Sequence, residues 1–129
     1  MSVVRESTKQ LEKLVVDSLE EMKAQKITVL DVHELTSVTD TMVVCNGTSS
    51  RQVRGIANRV VENAKKENLM PLGVVGVQKG EWVLVDLGDV VVHVMLPTIR
   101  EFYQLERLWD IPNFKQEEVI GELTPARGA

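Results

Sequence analysis

Apolar residues near the start of the chain recur at helical spacing. Leu11, Leu14, Val15, Leu19 and Met22 fall three or four positions apart with charges between them, which predicts a helix with one buried stripe. Its start is expected at Ser7, because S-T-K-Q at 7–10 has the form of a capping box. ITVLDV (27–32) and TMVVCN (41–46) then read as strands, and the polar stretch HELTSVTD between them as turns. A second capping box, S-S-R-Q opening at Ser49, precedes the stripe Val53, Ile56, Ala57, Val60, Val61 and Ala64. Gly73 to Val77 reads as a third strand. Trp82–Leu87 and Val90–Met95 read as a hairpin across Gly88-Asp89. Pro97-Thr98 opens a last helix with a third box, T-I-R-E, running to about Trp109, and Pro112 stops it.

The order α-β-β-α-β-β-β-α predicts an α/β fold in which helices pack on one mixed sheet. There is no internal repeat and no break in composition, so residues 1–111 are expected to form a single domain. Residues 112–129 are thin in large apolar side chains and are expected to be a loose or partly helical tail.

The hairpin divides its residues between two faces. With a two-residue turn, Val83, Val85 and Leu87 share a face with Val90, Val92 and Val94, and that uniformly apolar face is core. The other face collects Trp82, Leu84, Asp86, Val91, His93 and Met95. Such a mixture suits the anchor region of a protein interface. It equally suits a second core layer covered by helices. The pattern does not separate the two readings.

Composition narrows the function. A chain of 129 residues with 43% hydrophobic and 26% charged residues folds without staples. No stretch approaches the roughly 20 apolar residues of a membrane span. The N-terminal MSVVRESTKQ has no apolar signal core, and one cysteine permits no internal disulfide, so a cytoplasmic location is expected. Cys45, inside an apolar run, reads as core filler. The net charge of −4 disfavours direct nucleic-acid binding and suits approach to a basic protein surface.

Candidate chemistry is sparse. The turn CNGTSSRQVRG (45–55) lies between a strand and a helix, where backbone N–H groups often hold phosphate. It lacks the lysine of a P-loop, and no G-x-G-x-x-G follows any strand. It resembles the triphosphate turn of nucleotidyltransferases, but those enzymes also need two same-facing carboxylates for a metal ion. The strand GVVGVQ carries none, and Asp86 and Asp89 are three apart beside a Gly turn. Ser49 therefore reads as a helix cap. His33 and His93 lack zinc-ligand partners. A triad of Ser49 or Ser50 with His93 and Asp86 has no nucleophile elbow behind it. Asp31 and Asp40 flank a polar loop, where Asp satisfies its own turn. No catalytic residue, metal site or cofactor is expected. A degenerate nucleotidyltransferase holding a nucleotide at the GTSS turn is the alternative, and a homodimeric adaptor using an exposed sheet edge is a third reading.

LDVHELTSVTDTMVVCNGTSSRQVRGIA (30–57), PLGVVGVQKGEWVLVDLGDVVVHVM (71–95) and REFYQLERLW (100–109) together resemble the ribosomal silencing factor (iojap-like) family. The combination of GEWVLVDLGDVVVHV with a YxLExLW helix is specific to it. The resemblance implies a nucleotidyltransferase-like α/β fold without transferase activity. It also implies binding to ribosomal protein fourteen of the large subunit, blocking of subunit joining, and repression of translation when nutrients are scarce. Partner contacts are implied at Trp82 and, beside it, at Leu84, Asp86, His93 and Met95.

Overall fold

The strand-like apolar stretches among the described residues pair in one five-stranded sheet. The structure, a computed structural model, describes residues 3–37 and 39–103, with side chains from residue 7 onward. Its elements are α1 (Val3–Glu21), β1 (Gln25–Asp31), β2 (Thr41–Asn46), α2 (Ser50–Lys66), β3 (Gly73–Val75), β4 (Trp82–Asp86), β5 (Val90–Met95) and α3 (Pro97–Tyr103). The strands lie in the order β1-β2-β5-β4-β3. β2 and β5 are parallel and the other pairs antiparallel, so the expected mixed α/β sheet is present.

The α2–β3–β4 segment carries the chain from β2 to β5, as a parallel pair requires. β4 and β5 then close as a hairpin. The Leu87 N–H donates to the Val90 carbonyl at 2.9 Å, leaving Gly88 and Asp89 as a two-residue turn. Gly88 has φ 88, the positive value that the first central position of a type II′ turn demands. That turn fixes the parity of both strands, and each side chain falls on the face expected.

One face carries the larger core. Val43, Cys45, Val83, Val85, Val92 and Val94 from the strands meet Val15 and Leu19 of α1 and Val53, Ile56, Val60 and Ala64 of α2. Cys45 is buried there, and burial pushes its thiol up to about 12, which removes it as a nucleophile. The two helices are tied by Arg59 and Glu21 at 2.8 Å and by the Asn63 amide donating to the Ser18 hydroxyl at 2.8 Å. Both helices end alike. Lys23 and Asn68 adopt φ 59 and 63, and the next residues donate back to the Leu19 and Ala64 carbonyls, closing Schellman turns.

Several boundaries differ from the sequence expectation: β1 spans Gln25–Asp31 rather than 27–32, β4 stops at Asp86 rather than Leu87, and the ends of α1, α3 and β3 shift for identifiable reasons. α1 begins at Val3, so Ser7 lies inside the helix rather than capping it; no Gly or Pro precedes it to stop the helix propagating back. Pro97 is itself helical, at the first position where its missing N–H costs nothing, so Thr98 is interior and its box is not a cap. β3 ends at Val75 because Gly76 turns away at φ 90. The extension of α3 to Trp109 and the tail at 112–129 lie outside the described residues.

Candidate functional site

The strand–turn–helix stretch is closed by its own side chains. Ser49 is extended (φ −148, ψ 163), and its hydroxyl accepts from the Gln52 N–H at 3.1 Å, as a cap should. The Gln52 side-chain oxygen Oε1 accepts from the N–H and hydroxyl of Thr48, both at 2.6 Å, one residue before the usual box partner. The Thr48 and Gln52 N–H groups, two of the donors at this turn, are thus engaged within it. Gly47 is needed for close approach, since a Cβ there would lie 2.8 Å from Val53 Cγ2 and 3.0 Å from the Val53 nitrogen. Asp86 Oδ1 accepts from the Gly88 N–H at 2.9 Å, while the Asp89 carbonyl receives the N–H groups of Asp40 and Thr41. Asp31 satisfies its own turn, accepting from the His33 N–H at 3.2 Å and meeting His33 Nδ1 at 2.5 Å. Among the described residues no group of three or more His, Cys, Asp or Glu is placed to hold a metal ion.

The mixed face of the hairpin is more elaborate. Its residues pair in register, Trp82 opposite Met95, Leu84 opposite His93, and Asp86 opposite Val91. Trp82 and His93 are diagonal neighbours on this face, and the Trp82 indole N–H donates to His93 Nδ1 at 2.9 Å. An accepting Nδ1 carries no proton, so the proton resides on Nε2. Nε2 is buried and has no hydrogen-bond partner. Burial lowers the His93 pKa to about 3, so the ring is neutral at physiological pH.

α3 covers part of this face. Tyr103 lies 5.0 Å from the Trp82 ring, and Ile99 and Tyr103 pack against Val32, Met42, Val44, Trp82 and Met95. Arg100 anchors the helix across the sheet, donating to the Lys26 carbonyl at 2.6 Å, the Asn46 side-chain oxygen at 3.1 Å and the Thr28 hydroxyl at 2.8 Å. The sequence reading missed this anchor: Arg100 looked like part of a capping box, and its partners are 54 to 74 positions away.

The five expected contact residues are therefore brought onto one face but are not equally accessible. Trp82 is 6% exposed, and Leu84, His93 and Met95 are also buried. Asp86 alone is half-buried. Of the two readings of Trp82, the geometry here matches the covered core layer, because α3 lies over it.

Comparisons with known proteins extend this picture. Residues 5–128 match the family described as ribosomal silencing factor during starvation. The chain is similar to the ribosomal silencing factor of Chromobacterium violaceum, at 46% identity over 78% of this chain and 82% of that one. For that of Haemophilus influenzae the identity is 39%, over 77% and 97%. It is 30% identical to the mouse protein named mitochondrial assembly of ribosomal large subunit protein 1, over 87% of this chain and 51% of the mouse protein. A crystal structure from Chromobacterium violaceum superposes with TM-score 0.78 at 44% identity, covering 82% of this chain and 90% of that one. No helix among the described residues is long and apolar enough to cross a membrane. The chain belongs to the ribosomal silencing factor family.

Proposed function

We infer that this protein represses translation by occupying space. In this reading it binds the large ribosomal subunit through ribosomal protein fourteen, on the face that meets the small subunit, and keeps the two subunits apart. It acts in the cytoplasm during starvation or stationary phase, and it makes and breaks no bond. The observation that carries the reading is the match to the silencing-factor family across residues 5–128. The name of the mouse relative, which refers to assembly of the large subunit, directs attention to that same particle.

The physical requirements are modest. A standard interface of about 1,600 Å² suffices to hold a domain of this size in the path of a subunit. A net charge of −4 favours encounter with a basic ribosomal protein and disfavours stray binding to RNA. The partner-binding set comprises Trp82, Leu84, Asp86, His93 and Met95. Asp86 offers an accessible carboxylate at the rim, and the four buried residues hold the strands beneath it rigid.

The test is subunit assembly followed on a sucrose gradient, with and without purified protein. The expected result is that the protein travels with the large subunit and the assembled peak falls as its dose rises. An undiminished assembled peak at saturating dose overturns the reading. Titration with nucleotide and Mg²⁺ covers the catalytic alternative: saturable micromolar binding lost in Ser49→Ala would replace the steric account with a nucleotide-dependent one.

A further inference from the structure

The two edges of the sheet are built differently. β1 has a register shift between Gln25 and Thr28, and Lys26 sits there at φ 50 with Lys23 close by. Irregularity and lysine are the devices by which an edge refuses another strand. β3, at the opposite edge, carries no charge, although it is short, three residues, with Pro71 before it and Gly76 turning away after it at φ 90. From Met70 to Val77 the sequence is MPLGVVGV, without a charge. Met70, Leu72, Val74 and Val77 are 65%, 75%, 40% and 43% exposed. Four of the seven large apolar residues exposed among the described residues thus fall within eight positions, a concentration of exposed apolar surface in and beside β3.

The patch adjoins the site. Gly73 pairs with Asp86, the accessible member of the partner-binding set. A Cβ at Gly73 would meet nothing within 4 Å, so the face that Gly73 shares with Asp86 is uncovered there, and a long side chain can cross it to reach Asp86.

We propose that the edge of β3, which pairs with no further strand among the described residues, is a docking surface for the large-subunit protein, which lays a short extended apolar segment along Leu72 to Val75 and a cationic side chain across Gly73 to Asp86. This rests on the partner named under the proposed function. A second copy of the chain fits the edge less well. The four exposed side chains offer roughly 400 Å² per copy, so self-pairing buries about 800 Å² in total, the scale of a lattice contact. Two copies each carrying −4 also repel, whereas a basic partner is attracted and its body extends past the strip to Asp86.

The test uses the full chain with Leu72→Lys and Val74→Lys together, titrated against purified large subunits in a cosedimentation assay. Leu72→Lys alone, at the most exposed of the four positions, is the second variant should the pair fail to fold. Val29→Lys, on the opposite edge and 44% exposed, is the control. The expected result is at least tenfold weaker binding for the β3 variants, with an unchanged circular dichroism spectrum, and unaltered binding for the control. Wild-type-like binding by a folded β3 variant overturns the docking surface and leaves the proposed function standing. Failure of the wild type to cosediment removes both. Light scattering that shows a wild-type dimer, dissociated by the β3 substitutions while subunit binding persists, assigns the edge to a second copy and overturns the proposal.

Discussion

His93→Gln should change how stability depends on pH, and the size of the effect follows from burial. The folded-state pKa of His93 is about 3 and its ordinary value is 6.5. Between these values the unfolded chain binds a proton at this ring and the folded protein does not. Stability is therefore fully present above about pH 6.5 and declines as the pH falls toward the folded-state value. One proton is worth about 1.4 kcal/mol per pH unit, so moving from pH 7 to pH 5 should cost roughly 2 kcal/mol through this ring. Gln does not titrate, and its carbonyl oxygen can still accept from the Trp82 indole N–H. The assay is urea denaturation of both proteins at pH 7 and pH 5, followed by circular dichroism. His33 and the carboxylates are common to both proteins and cancel in the difference. The wild type should lose about 2 kcal/mol more than His93→Gln on acidification, whatever their relative stability at pH 7. Equal losses would refute the burial of His93, and with it the assignment of this face to a covered layer.

Trp82→Ala should destabilise the fold by about 3–5 kcal/mol in urea titration, the cost of removing a buried aromatic ring; unchanged stability would mean that Trp82 is exposed in solution and free to act as an anchor. Gly47→Ala should cost about 1–3 kcal/mol and lower the melting temperature by several degrees, because its new methyl group meets Val53 at 2.8 Å; an unaltered melt would show that the turn relaxes.

How much of this was legible depends on whether the determining contact is local. The hairpin faces could be assigned because Gly88-Asp89 sets a register and alternation does the rest. The cap at Ser49 could be read because its partner, Gln52, is three residues on. The start of α1 could not, since S-T-K-Q at 7–10 satisfies the capping rule while the residues before it also support a helix. Accessibility of the mixed face was illegible for another reason. Trp82 is covered by Tyr103 and Ile99 of α3, and α3 is held there by Arg100 acting on Lys26, Thr28 and Asn46. No local pattern connects a helix to strand edges more than fifty residues away. That MPLGVVGV lies at a sheet edge was illegible too, because only the sheet order shows that it has no further strand beside it among the described residues.

The same anchor bears on where a partner can bind. Direct contact with Trp82 requires α3 to leave the sheet. That breaks three hydrogen bonds from a charged guanidinium, each worth about 1.5 kcal/mol or more, and separates Tyr103 from Trp82, worth about 1 kcal/mol. The sum, about 5.5 kcal/mol, would weaken binding by more than three orders of magnitude unless new contacts offset it. A partner meeting Asp86 and the β3 edge would incur no such cost, because Leu72 and Val74 are already exposed and Gly73 leaves the face beside Asp86 uncovered. On the proposed function the buried residues of the set would act through stiffness: the Trp82–His93 hydrogen bond and the packing of Leu84 and Met95 hold β4, and β4 pairs with β3 from Asp86 to Leu84. Substitutions at Trp82 should thus weaken binding in proportion to lost stability, whereas substitutions at Leu72 or Val74 should weaken binding with the fold intact.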